Sequence, residues 1–203
     1  MTTTVLADFS DAIATIVDRT ARRVVAVHAR NGAPSSGFIF KPGVIVTADE
    51  TVEADEGVEV TLPDGRRKAA TLAGRDPTTD IAVFRVDGAE AGEAIADAAP
   101  VRAGALAFAV GRAGASTLSA MGTVALVGEP WRSSQGGMID AFLRFDIRIS
   151  RAVEGGALVD ARGDFVGMAV FGPRRRVIAI PAKTIVRVVD RILAHGSVSR
   201  GYV

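Results

Sequence analysis

The 203-residue chain contains no cysteine, and this absence excludes disulfides, zinc–thiolate sites and thiol catalysis. Histidine is nearly as scarce, since only His28 and His195 could supply an imidazole as a ligand or a base. The two histidines lie far apart in the sequence, and neither belongs to a metal-binding motif. We therefore expect no cofactor.

The chain also lacks an excess of charge of either sign, because 24 Lys and Arg against 23 Asp and Glu leave a formal net charge of +1. A general nucleic-acid binder would need its basic residues concentrated in one place. Two short basic clusters, at 66–68 and 174–176, are interpreted as solvated hairpin tips. If they are functional, they favour an acidic protein partner over nucleic acid, for which no recognition motif is present.

Long apolar runs are missing as well. No segment is long and apolar enough to span a bilayer, so no membrane span is expected. Residues 1–8 have neither the basic region nor the uninterrupted apolar run of a signal peptide. These features predict a cytoplasmic chain. A mature or trimmed form of an exported protein would show the same pattern, so a periplasmic location stays open.

The chain has an ordinary globular composition, with 48% hydrophobic residues whose spacing changes along the sequence. An amphipathic pattern predicts a helix at about residues 8–20. Short β-branched runs separated by Gly, Pro and Asp then predict strands as far as about residue 180. An Ala- and Gly-rich stretch, 88–99, is typical of a linker between two β halves. A second amphipathic pattern predicts a closing helix after residue 182.

Six short segments form an ordered series that is more informative than any one of them. They read SSGFIF at 35–40, TADETV at 47–52, VTLPDG at 60–65, DPTTDIAV at 76–83, AVEGGAL at 152–158 and IAIP at 178–181. The series resembles the motifs of the HtrA (DegP-type) trypsin-like serine proteases, over nearly the whole chain. The resemblance implies an all-β fold: a trypsin-like double antiparallel β-barrel of Greek-key topology, with short N-terminal and C-terminal helices and a cleft between the barrels.

The same resemblance implies a single protease-fold domain spanning residues 1–203. Its parts are an N-terminal helix segment at 1–22, a first barrel at 23–98, a second barrel at 99–181, a C-terminal helix at 182–196 and, at 197–203, the start of a linker to an absent PDZ domain. In the family, loops at the place of residues 131–137 switch the cleft between inactive and active states. This segment is therefore predicted to be a mobile loop.

Two of the three catalytic positions implied by the resemblance carry the wrong residue. Asp80 matches the carboxylate of the triad, but Glu50 occupies the histidine position and Glu154 the serine position. A glutamate with its usual pKa of about 4.3 is a weak base for activating an alcohol. The alcohol itself is absent at residue 154. We therefore expect none of the three residues to be catalytically active.

The resemblance places the oxyanion hole at the backbone N–H groups of Ala152 and Glu154. Removal of one such donor typically slows acyl transfer by about 10²–10³-fold. Ala152 stands where the family has a flexible glycine, and Arg151 replaces the proline that stiffens the loop. A further hypothesis is that the anionic Glu154 side chain folds into the vacant hole.

If the fold is kept, the three carboxylates converge, because their counterparts touch in a working triad. Three carboxylates at contact distance must share a proton, be solvated, pair with cations or bind a metal. The candidate cations are Arg112, Arg148 and Arg151. An all-oxygen cluster would suit Ca²⁺, Mg²⁺ or Mn²⁺, and its candidate ligands are Glu50, Asp80 and Glu154.

These residues predict a catalytically inactive HtrA-like homologue, a pseudoprotease, that acts as a peptide-binding, scaffolding or regulatory domain in protein quality control. A polypeptide or protein partner is expected in the old substrate cleft. The alternatives are a hydrolase with an unorthodox carboxylate site and a structural domain that binds a divalent metal. The family commonly forms trimers through N-terminal segments, and the helix around Phe9 is the candidate for that contact.

Overall fold

The computed structural model describes residues 4–29, 33–52, 55–90, 95 and 100–195. Its first part contains α1 (Val5–Ala21), β1 (Val24–His28), β2 (Ser35–Lys41), β3 (Val44–Thr47), β4 (Val58–Thr61), β5 (Arg67–Asp76) and β6 (Ile81–Arg85). Its second part contains β7 (Leu106–Ala113), β8 (Ser116–Gly128), β9 (Trp131–Arg132), β10 (Met138–Ile139), β11 (Phe142–Asp146), β12 (Ala157–Asp160), β13 (Phe165–Phe171), β14 (Val177–Pro181) and α2 (Ala182–His195). Short 3-10 helices lie at Asp49–Thr51, Arg151–Val153 and Pro173–Arg175.

The strands form two closed barrels in which every pairing is antiparallel. The first barrel has the order β1-β2-β3-β6-β5-β4, and the second has the order β11-β14-β13-β12-β7-β8. Closure leaves each barrel without a free edge along its length. The predicted all-β fold with two barrels and terminal helices is confirmed.

Strands next to the second barrel read as continuous apolar runs because both of their faces are buried. In β2, Ile39 points into the core of the first barrel, while Phe38 and Phe40 point into a second core. In β3, Ile45 likewise points inward while its two neighbours face the second core. Successive side chains of a strand lie on opposite faces, so one strand can serve two cores.

This second core joins the barrels to α2. Ile185, Val188, Val189 and Ile192, at helical spacing, are at most 1% exposed and pack with residues of both barrels. The C-terminal helix is therefore confirmed as part of the domain. The cleft between the barrels is consequently held by a large apolar contact rather than by a flexible hinge.

Helix α1 is only half packed. Thr4 caps it, because its Oγ1 accepts the N–H of Ala7 at 3.3 Å, and the last residues of the helix are buried. Its first two turns project from the body, leaving Val5 86%, Leu6 76% and Phe9 45% exposed. Among the described residues, no helix is long and apolar enough to cross a bilayer.

The segment 131–137, expected to be a mobile loop, lies in a hairpin, while the stretch 88–99, expected to be a linker, lies between the two barrels along the chain and is partly buried. Residues 131–139 form a small hairpin of β9 and β10, and this hairpin docks on the first barrel through Ser133, whose Oγ donates to the carbonyl of Thr78 at 2.5 Å. In the stretch 88–99, Ala89 and Ile95 are buried, and the N–H of Ile95 donates to the carbonyl of Phe40. The other residues of that stretch from 91 to 99, and residues 196–203 with the expected PDZ linker, lie outside the described part of the chain.

Candidate functional site

The cleft places Asp80 beside Glu50 through a backbone contact. The 3-10 helix Asp49–Thr51 follows β3, and the N–H of Glu50 donates to Oδ1 of Asp80 at 2.8 Å. Asp80 adopts a left-handed backbone conformation with φ of 57°, which aspartate tolerates better than most residues. Glu50 and Asp80 are therefore adjacent, and the contact between them runs from a backbone N–H to a carboxylate.

The turn that carries Asp80 is held from three sides. Asp76, which is 5% exposed, accepts the N–H and hydroxyl of Thr78 on one oxygen and Arg191 of α2 on the other, at 2.5 Å. Ser133 of the β9–β10 hairpin fixes the carbonyl of Thr78. Buried, fully bonded polar groups of this kind define a single backbone conformation.

Asp80 holds its proton more tightly than an ordinary aspartate. Burial is the largest cause, and the neighbouring charges of Glu50, Asp49 and Glu154 add to it. The N–H of Glu50 opposes these effects, and the net result raises the pKa of Asp80 from 3.8 to about 7. The carboxyl of Asp80 therefore titrates close to neutral pH.

Glu154 is buried in the second wall of the cleft, with 6% of its surface exposed. Its Oε1 accepts the backbone N–H of Phe171 at 3.4 Å. The pKa of Glu154 is raised, and burial is the largest cause. The N–H of Phe171 and the charge of Arg151 oppose this rise, the charge of Glu50 adds to it, and the charge of Arg175 opposes it. The structure thus brings Glu50, Asp80 and Glu154 into one group whose charges influence one another.

The loop before Glu154 is held by hydrogen bonds between its own backbone groups. Residues Arg151–Val153 form a 3-10 turn in which the N–H of Val153 donates to the carbonyl of Ser150 at 3.0 Å. The N–H of Glu154 donates to the carbonyl of Arg151 at 3.1 Å. Glu154 N–H is one of the two expected oxyanion donors, and it is therefore engaged inside the turn instead of pointing at a substrate. The side chain of Glu154 bonds to Phe171 in this conformation.

Ser36 of β2 holds this loop, a role that the sequence interpretation missed. Its hydroxyl donates to the carbonyl of Ala152 at 2.6 Å and accepts the N–H of Arg112 at 2.8 Å. Its own N–H donates to the carbonyl of Glu154 at 2.8 Å, while its carbonyl accepts the hydroxyl of Thr47 at 2.6 Å. The only available signal was a pair of serines at the start of an apolar strand.

Glycines make this contact between the barrels possible. Gly155 has φ of 81°, and a Cβ there would lie 2.2 Å from the carbonyl oxygen of Ser36. A Cβ on Gly111 would lie 2.7 Å from Cα of Val153 and 2.8 Å from the Ser36 hydroxyl. The loop backbone therefore packs directly against β2 and β7 at these two positions.

Neither pairing with Arg112 nor binding of a metal ion by the three carboxylates is supported by the structure. Arg112, buried at 4% exposure, donates to the carbonyls of Ala21, Val24 and Ala115 and so joins α1 and β1 to the second barrel. The expectation that Arg112 pairs with the carboxylates is wrong, because its guanidinium N–H groups donate to three backbone carbonyls instead. Within the described ranges, no three His, Asp or Glu side chains are arranged to hold a metal ion.

The comparisons with known proteins agree with this architecture. A family model described as "Trypsin-like peptidase domain" matches residues 35–168, more than half of the chain. The chain therefore belongs to the trypsin-like peptidase family, within its HtrA type. The "Probable periplasmic serine endoprotease DegP-like" of Brucella suis biovar 1 (strain 1330) is 32% identical over 186 residues, which cover 87% of this chain and 36% of that protein.

Other relatives extend the likeness. The "Periplasmic serine endoprotease DegP" of Escherichia coli (strain K12) is 29% identical over 180 residues, covering 83% of this chain and 38% of that protein. The structure "Crystal structure of Deg5" superposes with a TM-score of 0.79 at 26% identity, covering 94% of this chain and 98% of that one. The structure "HtrA-type protease AlgW with decapeptide" shares the fold, with a TM-score of 0.76 at 24% identity, covering 93% and 70%. The chain spans little more than a third of the curated relatives it matches.

The raised pKa of Asp80 predicts a pH-dependent stability. Because the folded pKa is about 7 and the ordinary value is 3.8, the stabilisation by protonated Asp80 is complete below about pH 4 and is lost as the pH rises to about 7. We expect the free energy of unfolding, relative to that of Asp80→Asn, to fall by on the order of a few kcal/mol across this window. Urea unfolding at a series of pH values measures it.

Asn keeps an oxygen for the N–H of Glu50 and does not titrate, so it isolates the contribution of the Asp80 proton. The matched control is Asp64→Asn in an exposed hairpin, where the pKa is lowered and no loss of stability is expected in this window. Parallel pH curves for the wild type and Asp80→Asn would contradict the assignment.

Proposed function

We propose that this domain binds extended polypeptide segments without cleaving them, as an inactive HtrA-type homologue with a scaffolding or regulatory role. The observation that carries the proposal is the state of residue 154. A buried glutamate stands where the family has its nucleophile, and the N–H of this residue is engaged inside its own loop. Both the nucleophile and one donor for the oxyanion are therefore missing from the cleft.

The remaining groups do not replace the lost chemistry. His28 lies in β1 with its Nε2 2.9 Å from the hydroxyl of Thr61, in the first barrel and outside the carboxylate group. The pKa of Asp80 near 7 is the one property that would favour a hydrolase with a carboxylate base. Its Oδ1, however, already accepts the N–H of Glu50, and none of the hydroxyl groups in the described part of the chain is bonded to the carboxylate.

A polypeptide could bind at the exposed end of β13. Ala169 exchanges hydrogen bonds with residues 155 and 156, at 2.8 and 2.9 Å. Phe171, two residues further on, directs its N–H and carbonyl to the same side, since the direction alternates along a strand. There its N–H meets the Glu154 side chain instead of a backbone. An added strand would continue the ladder at this point.

The location and the assembly are also proposals. Relatives with matching protease domains are named periplasmic proteins, so we propose a periplasmic location over the cytoplasmic one expected from the sequence. We further propose self-association, by analogy with the family, through the projecting half of α1, where Leu6 and Phe9 expose apolar surface. A PDZ domain in the full-length protein stays a proposal by family analogy.

The proposed lack of proteolysis predicts that the purified chain leaves an unfolded protein substrate intact. The double restoration Glu50→His/Glu154→Ser should remain nearly inactive, because the N–H of residue 154 stays engaged within the loop. Adding Arg151→Pro and Ala152→Gly should raise cleavage at least about 100-fold by restoring the family's loop. Gel analysis of digestion over time measures the rates.

Glu154→Ala serves as the control for a carboxylate mechanism. Cleavage by the wild-type chain that disappears in Glu154→Ala would establish the hydrolase alternative and overturn the proposal.

Peptide binding at β13 predicts a defined spectroscopic response. Titration of the isotope-labelled chain with an uncharged extended peptide should shift the backbone amide resonance of Phe171, because that N–H changes its acceptor. Amides of the hairpin turn at 62–66, in the first barrel, provide the internal control. Shifts confined to other surfaces, or none at saturating peptide, would exclude binding at this strand.

The exposed half of α1 predicts a concentration-dependent assembly. Leu6→Ser/Phe9→Ser should shift the mass measured by sedimentation towards that of a monomer without lowering the unfolding midpoint, because these side chains contact little of the barrel. Val127→Ser, an exposed apolar position on β8, is the control. Identical masses for all three proteins would rule out this contact.

A further inference from the structure

The turn between β13 and β14 has an unfavourable backbone for its residues. Arg174 and Arg175 both have left-handed backbones, with φ of 59° and 54°. The N–H of Gly172 donates to the carbonyl of Arg176 at 2.8 Å, so these two arginines occupy the tip of a tight hairpin. Asn-Gly is strongly preferred at such positions, and two arginines adopt them only at a conformational cost. Backbone strain of this kind is often found at functional sites.

The turn lies at the cleft. The guanidinium of Arg175 stacks 4.3 Å from the ring centroid of Phe171, the residue at the end of the proposed peptide-binding strand. The charges of Arg175 and Arg151 both act on the Glu154 carboxylate. Two separate loops, 148–151 and 173–176, therefore bring positive charge to the same wall of the cleft.

This basic rim, defined as Arg151, Arg174, Arg175 and Arg176, is not engaged in salt bridges with described residues. All four side chains are exposed, and none forms an ion pair with another residue in the described part of the chain. The other basic cluster differs, because Arg66 pairs with Asp64 at 2.5 Å and Arg67 pairs with Glu59 at 3.0 Å. The two clusters resemble each other in sequence, but Arg66 and Arg67 are engaged in ion pairs with described residues and the arginines of the rim are not.

From this geometry we infer that the basic rim recognises acidic side chains of an extended polypeptide lying along the end of β13. The inference rests on the proposed function, since it specifies which peptides the cleft prefers. The rim favours a polypeptide over nucleic acid because the strand end offers backbone hydrogen bonds to a peptide. It also provides no free aromatic platform for bases, as Arg175 covers the Phe171 ring.

The acidic residues of the cleft do not reverse this preference. Glu50 and Asp80 belong to the first barrel, and burial raises the pKa of Asp80 to about 7, while Arg151 and Arg175 bring opposing charge to Glu154. The turn that carries Arg174, Arg175 and Arg176 directly follows β13, so a segment along the end of this strand lies on the same barrel as these guanidinium groups. A peptide with acidic side chains therefore gains from the charges of the rim.

The decisive variant is Arg174→Asn/Arg175→Gly, which removes two charges and installs the residues that the turn prefers. It should unfold at the same or a higher temperature than the wild type, so that any loss of binding is separated from misfolding. Fluorescence anisotropy would follow binding of three short labelled peptides that carry Glu, Gln or Lys at the same alternate positions. A short oligothymidine is the fourth ligand.

The wild type should bind the Glu peptide about tenfold more tightly than the Gln peptide, corresponding to at least two partly desolvated ion pairs. Arg174→Asn/Arg175→Gly should lose this difference and keep its affinity for the Gln peptide. Arg66→Ser/Arg67→Ser, which removes the same charge from the paired cluster, should behave as the wild type. The Glu preference should also weaken at high salt.

Equal affinity for the Glu and Gln peptides, tighter binding of the Lys peptide, or equal losses in both double variants would overturn the inference and leave the proposed peptide binding intact. Oligothymidine bound more tightly than the Glu peptide, with the same dependence on Arg174 and Arg175, would assign the rim to a phosphate polymer and also overturn it. Failure of every peptide to bind would refute the proposed function itself.

Discussion

The packing of the loop 152–156 against β2 is the constraint on which the cleft depends. Ser36 bonds to the carbonyls of Ala152 and Glu154, and Gly155 lies too close to its backbone for any side chain. The contact with the first barrel therefore fixes where this loop lies. The large apolar core around α2 holds the barrels together. The position of residue 154 therefore depends on the whole interface between the barrels.

This interface also separates the charges of the cleft. The first barrel contributes Glu50 and Asp80, which are linked through a backbone N–H, and the second contributes the basic rim. Glu154 lies between them, and its pKa responds to charges on both sides. Because burial leaves a proton on much of the Asp80 population, the negative charge of the cleft is smaller than its three carboxylates would suggest.

The turn that bears Asp80 is equally dependent on distant contacts. Arg191 reaches it from α2, and Ser133 reaches it from the β9–β10 hairpin, which α2 also holds through Arg187, whose Nη2 donates to the carbonyl of Met138 at 2.7 Å. A change in α2 or in the hairpin would therefore alter the conformation of the turn that carries Asp80. The segment expected to be a mobile loop is instead one of the supports of the site.

Alternation and helical spacing in the sequence predicted the strands and the terminal helices, because these patterns are local. The resemblance of the ordered motifs to those of the HtrA proteases predicted the two barrels and the grouping of Glu50, Asp80 and Glu154. The sequence could not show that Arg112 binds carbonyls, that Ser36 holds the loop or that the N–H of Glu154 is engaged. These outcomes depend on contacts between distant residues, such as Ser36 and Ala152, which are 116 positions apart. Only the tertiary structure decides which backbone groups meet there, since any residue offers the same N–H and carbonyl. It also decides that the arginines of 174–176 are free of ion pairs with described residues, whereas those of 66–68 pair with nearby carboxylates.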